Sequence, residues 1–199
     1  MGSSVFKGGI FGGLVLFLWS ILSWKILPWH SDAVLQFKDE KYVYEVIKRN
    51  APESGIYVLP NLYIQDIGMT DQSKQWAAQQ RMVSQGPVMF AAISVEGVEL
   101  LNWTPFAIAF LMQSVAAGVV TALITQMRST SYKKRVLFAV TIGFLSSLLG
   151  IVPAWNWWEF SDLYTIVSMT DALIGWLLAG CVIASLATRS EESSKRRRR

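Results

Sequence analysis

One cysteine and one histidine are all that 199 residues offer of the side chains most used to close disulfides and hold metals. The single Cys181 excludes an intramolecular disulfide and a cysteine-rich metal site, and since it lies in an apolar block it does not report a redox compartment. The single His30 argues against a multi-histidine metal or haem site built from this chain alone. Charge is scarce as well: 16% of residues are charged, against roughly 25% in soluble domains. Also missing are a nucleophile elbow, a phosphate-cradling glycine loop and a zinc-protease signature, so the expectation is no enzyme activity and no cofactor.

What is present is apolar and comes in long runs rather than stripes, the pattern that belongs in lipid. Residues Gly9 to Leu27 carry a single late charge, and at about 1.5 Å per residue they nearly cross a ~30 Å hydrocarbon layer. Phe106 to Met127, Val136 to Trp155 and Tyr164 to Ala187 form three further spans, each bounded by charge or proline. The first run is longer than a signal-peptide core, and the Pro28-Trp29-His30 that follows lacks a small-residue cleavage site, so it reads as an anchor.

Charge placement orients the spans. The loop from Arg128 to Arg135 carries four basic residues and no acid, and the tail adds Arg189 and Lys195 to Arg199, whereas Asn156 to Leu163 carries Glu159 and Asp162 and no base. The positive-inside rule then puts both termini in the cytoplasm. Trp24, Trp29, Trp103, Trp155, Trp157 and Trp158 all fall at the opposite interface, where indoles settle at headgroup level, while Trp19 and Trp176 lie within the spans as packing residues. The net charge of +4 comes from the juxtamembrane arginine run, which fits anionic lipid headgroups, and no aromatic-basic interleaving suggests nucleic acid.

Trp29 to Asn102 makes the extracytoplasmic segment. Phe37 to Asn50 reads as an amphipathic helix ended at Ala51-Pro52, Ile56 to Pro60 as a short strand, Asp71 to Ser84 as a helix capped by Thr70, and Met89 to Val95 as a second strand. The expected fold is therefore an all-α membrane protein: a four-transmembrane-helix bundle with a small α+β extracytoplasmic cap between helices 1 and 2. Its divisions are 1–28 (first transmembrane helix), 29–104 (cap), 105–188 (three-helix transmembrane region) and 189–199 (basic cytoplasmic tail). Such a cap is too small for an independent core and should rest on the membrane or a partner.

Two groups of residues could carry function. Gly8, Gly9, Gly12 and Gly13 form a doubled small-residue face, and Gly118, Gly175 and Gly180 sit in similar small-x-x-x-small settings. Such spacing lets helices approach closely, either within the bundle or against a partner subunit or second copy. The second group is an intramembrane ion pair: Asp171 lies about two turns inside the fourth span, where an unpaired carboxylate is costly, and Lys25 is at similar depth in the first. His30 reads as a headgroup-level polar residue, and the acids at Asp32, Asp39, Glu40, Glu45, Glu53, Asp66 and Asp71 as a solvated face. Met69, Met82 and Met89 are too irregularly spaced for a copper site.

Leu27-Pro28-Trp29-His30, Gly55 to Pro60, Gly86-Pro87 and Trp155 to Phe160, together with the span layout, resemble a group of small four-span bacterial inner-membrane proteins. The resemblance covers most of the chain and implies a multi-pass inner-membrane location; it brings no functional residues. The functional expectation is a non-catalytic accessory or structural subunit of a larger membrane complex, an energy-converting one being the candidate. Its partners would be membrane lipids and other membrane subunits or a second copy. The alternative is a small ion- or proton-coupled transporter using Asp171 and Lys25.

Overall fold

The structure is a computed structural model; it describes residues 2–62, 72–127 and 130–197, without the side chains of 72–75 and 189–197. Four helices are long and apolar enough to cross a membrane, at Gly2–Lys25, Thr104–Gln126, Tyr132–Trp158 and Asp162–Thr188, and the chain is a multi-pass membrane protein. Element order is α1 (Gly2–Lys25), α2 (Trp29–Ala33), α3 (Glu40–Asn50), β1 (Gly55–Leu59), α4 (Gln72–Gln85), β2 (Met89–Ile93), α5 (Thr104–Gln126), α6 (Tyr132–Gly150), α7 (Val152–Trp158) and α8 (Asp162–Arg197). The chain divides into two compact units. One is Met1–Leu35 with Leu101–Trp155 and Phe160–Arg199, and the other is Gln36–Leu100 with Asn156–Glu159.

In the first unit α1 packs against α5 and α8, α6 packs against α8, and α5 and α6 barely touch. Successive spans run antiparallel, so α1 starts and α8 ends at the same end of the bundle. That end is tightly packed by small residues. Ala117, Val120, Ile124, Ala139, Ala179, Ile183 and Ala187 form its buried core together with Leu16. Opposite faces stay apolar and exposed, as lipid-facing surfaces should; Leu111, Val115 and Val119 recur every fourth residue along α5.

All four glycines of the doubled face are buried inside this unit. Gly9 lies opposite Gly118, where a Cβ added at Gly9 would stand 3.3 Å from the Gly118 Cα; Gly8 and Gly13 lie against Thr121 and Ser114; Gly12 lies against Ile183 and Ala117. Gly175 faces Trp19 and Leu16, and Gly180 faces Ala139. These small residues bring helices of one chain together, which leaves the doubled face of α1 no surface for a partner.

Among the span boundaries, those of the third and first differ most from the sequence expectation. The third span is interrupted at Ile151, between α6 and α7. Pro153 follows, and with no N–H and a ring that crowds the preceding turn it favours a break there. The fourth span ends at Thr188, one residue past the expected Ala187, and its helix runs on beyond the span to Arg197 as one 36-residue element, since no glycine or proline intervenes to end it. The first span begins at Gly2, because Ser3, Ser4 and Lys7 extend the helix as readily as lipid-exposed residues do.

The second unit contains α3, α4 and a two-stranded antiparallel sheet pairing Gly55 with Ile93 through Leu59 with Met89. Asp39 caps α3, its Oδ1 accepting the Tyr42 N–H at 2.9 Å. Thr70 and Asp71, expected to start the next helix, lie outside the described residues. The ring of Phe90 on β2 meets that of Trp158 with centroids 4.5 Å apart. Among the described residues of this unit only Ala51 is buried.

Candidate functional site

Away from the glycine-packed end, α1 changes character: Trp19, Ser20 and Ser23 replace the small apolar residues. The chain then turns at Pro28, and the single turn of α2 folds back against α1 and α8. The fold-back places His30 inside the protein, with its side chain 3% exposed. The expectation of a headgroup-level polar residue did not include this burial.

His30 Nε2 lies 3.1 Å from Ser23 Oγ and 3.4 Å from Asp171 Oδ2. Ser23 Oγ also accepts the indole N–H of Trp29 at 2.9 Å. Since Nε2 faces a carboxylate oxygen, a proton on Nε2 gives an attractive contact, whereas a bare lone pair there would oppose another. The ring plane is fixed by Trp24, stacked on it at 3.9 Å with an interplanar angle of 10°, and by Trp29 edge-on at 5.8 Å. Trp19 holds the other side of the arrangement by donating its indole N–H to the Asp171 backbone carbonyl at 3.0 Å. Trp19 and Trp29 meet edge to face at 6.1 Å.

Asp171 is nine residues into α8, about 14 Å of helix from its start. The sequence paired it with Lys25, and the structure places that lysine elsewhere. Lys25 is exposed and lines a shallow groove between α1 and α5 with Trp24, Phe106 and Ala109. Helix geometry explains this: Ser23 faces inward, and two residues later the chain has turned by about 200°. Among the described residues, the side chain that meets the Asp171 carboxylate is His30.

Beside the pair lies a cleft of about 400 Å³ that all four spans line: Trp19 and Ser20 from α1, Met112 and Gln113 from α5, Ser146 from α6, and Asp171, Gly175 and Trp176 from α8. It occurs where α5 and α6 separate. Glycine maintains the room, since a Cβ at Gly175 would come within 3.0 Å of the Trp19 ring, and one at Gly143 within 2.6 Å of Trp176. The side chains around it hold unmet hydrogen-bonding capacity. Asp171 Oδ1 and Gln113 Oε1 are buried without a hydrogen-bond partner among the described residues, as are Thr165 Oγ1 and Ser168 Oγ nearer the start of α8 and His30 Nδ1. Groups left so inside a protein ordinarily take up water or a ligand.

No cluster of three or more metal-ligating side chains occurs among the described residues. At the opposite end, Arg135 is fully buried, and its Nη1 donates to Thr188 Oγ1 on α8 at 3.1 Å. The arrangement ties the start of α6 to the end of the fourth span and is structural. No protein-family model, no curated protein and no solved structure matches the chain, so the site stands on its own geometry.

Proposed function

We propose that this chain is a non-catalytic subunit of a larger membrane assembly, held in a bacterial inner membrane with both termini in the cytoplasm and the second unit on the other side. The single observation that carries the subunit reading is the coreless second unit. Tyr42 is 68% exposed, Ile56 62%, Trp76 60% and Leu100 93%, while only Ala51 is buried among its described residues. A segment that orders two helices and a hairpin yet shields so little apolar surface is expected to complete its burial against another protein. The orientation rests on Lys133, Lys134 and Arg135 at the start of α6, which share a bundle end with the start of α1 and the end of the fourth span.

Extraction of the native membrane in mild detergent tests this reading. A subunit sediments with a complex several times its own 22.3 kDa mass, and Tyr42→Glu with Ile56→Glu releases it as a free, folded chain. Migration of the wild type solely as a monomer overturns the reading. The transporter alternative, in the form that used Lys25, loses that residue to the exposed groove; Asp171 keeps an interest of its own.

A further inference from the structure

We propose that the groove between α1 and α5 at Lys25 is a binding site for one anionic phospholipid, its phosphate on the lysine and an acyl chain along the groove. The inference is independent of the subunit reading, because it concerns two spans and not the second unit.

The packing of the two helices makes the groove. Toward the start of α1 the backbones of Gly9 and Gly118 meet closely, and farther along Phe17 meets Phe110 edge-on with centroids 5.7 Å apart. Beyond that pair, Ser20 on α1 and Ala109 on α5 are too small to fill the space beside Trp24 and Phe106, and a hollow of about 230 Å³ results. Its lining is apolar apart from Ser20 and one charge. Ser20 gives its hydroxyl proton to the Phe17 carbonyl at 2.8 Å, so it offers the groove no donor. Such a wall suits a hydrocarbon chain, and hydrocarbon is what bathes the outer face of a membrane span.

Lys25 supplies the charge. It is exposed, lines the groove and has no carboxylate within ion-pair distance among the described residues. As the last residue of the first span, it carries its ammonium on a flexible stem to headgroup level. The Phe17 end of the groove lies about 12 Å of helix deeper. The groove is therefore cationic where headgroups sit and apolar where chains run, the same polarity as a phospholipid in that leaflet. Trp24 stiffens the wall: its ring is stacked on buried His30 at 3.9 Å, yet half of the residue is exposed. Because the charge of Lys25 is uncompensated, a lipid with net negative charge fits better than one whose phosphate is balanced by its own ammonium group.

Bromine on an acyl chain quenches tryptophan emission at contact, so Trp24 reports which lipid fills the groove. The full chain is placed in nanodiscs of equal parts phosphatidylglycerol and phosphatidylcholine, with one lipid or the other brominated, and Trp24→Phe supplies the emission to subtract. Quenching of Trp24 should correspond to about fivefold enrichment of phosphatidylglycerol over phosphatidylcholine. Lys25→Gln abolishes the preference and Lys25→Arg, which keeps the charge, retains it. Lys133→Gln with Lys134→Gln, exposed at the other end of the bundle, leaves it unchanged. Ala109→Leu fills the hollow and lowers the preference although the lysine remains. Equal quenching by the two lipids in the wild type, a preference that survives Lys25→Gln, or one unaltered by Ala109→Leu would each overturn the proposal. So would loss of the preference on adding sodium phosphate but not sodium chloride at equal ionic strength, the mark of a site for a free anion.

Discussion

Replacing Gly13 with alanine adds one methyl group where the structure has no place for it. A Cβ built on Gly13 stands 2.5 Å from the Ser114 Cα and 2.7 Å from the Ser114 N, whereas ordinary contacts of such an atom fall at 3.4–4 Å. The obstacle is backbone, which cannot rotate aside, so α5 must retreat from α1 by about 1 Å, the shortfall in contact distance. The same retreat loosens the Gly9–Gly118 approach and the edge-to-face pair of Phe17 and Phe110, now 5.7 Å between centroids. Overpacking of this kind costs about 1–3 kcal/mol, and a backbone obstacle belongs at the upper end. Gly9→Ala meets its nearest atoms at 3.1 and 3.3 Å and should lose no more than about 1 kcal/mol. Gly150→Ala meets nothing within 4 Å and should gain about 0.5 kcal/mol from helix propensity. The three variants unfolded by denaturant titration in one micelle system should rank in that order. Equal midpoints for Gly13→Ala and Gly150→Ala would refute the α1–α5 packing.

Ser23→Ala removes the oxygen shared by His30 and Trp29 and should cost about 1–3 kcal/mol, because the buried His30 and the half-buried Trp29 lose a partner at once; the same titration measures it. Trp19→Phe retains most of the ring contact but loses the hydrogen bond to the Asp171 carbonyl, for about 1 kcal/mol. Lys25→Gln should change stability by no more than about 0.5 kcal/mol, and a large loss would show that the lysine has a partner after all. Glu159 adopts a left-handed backbone at φ 56°, so Glu159→Gly should raise the unfolding midpoint by an amount equivalent to about 1 kcal/mol, read by thermal unfolding.

The spans were legible because lipid imposes length and composition on a sequence before any tertiary contact is known. The glycines announced close approach, but spacing does not name the neighbour: Gly9 would read identically whether Gly118 or a second chain lay opposite. Asp171 was legible for its cost, since few environments at that depth accept a carboxylate. Its partner was not, because His30 follows a proline that, read along the chain, ends the first span, whereas in the fold the turn brings His30 back into the protein. Depth along the chain favoured Lys25, and the 200° turn from Ser23 set it aside. The cleft had no signature in one dimension, as its residues come from four spans whose neighbours are fixed only by packing. In the second unit, alternation and proline placement announced the strands, while their antiparallel register came only from the structure.

The reach of Trp19 across to Asp171 spans 152 residues of chain. A ribosome adding roughly 5–20 residues per second makes α1 some 8 to 30 seconds before the helix that completes its surroundings. During that interval α5 can seat on the glycines of α1, but α2 has only α1 to fold against, and His30 waits without its carboxylate. The polar half of the bundle is therefore the last part to assemble, and truncation ahead of α8 should yield a tightly paired α1–α5 hairpin with an open, water-seeking end.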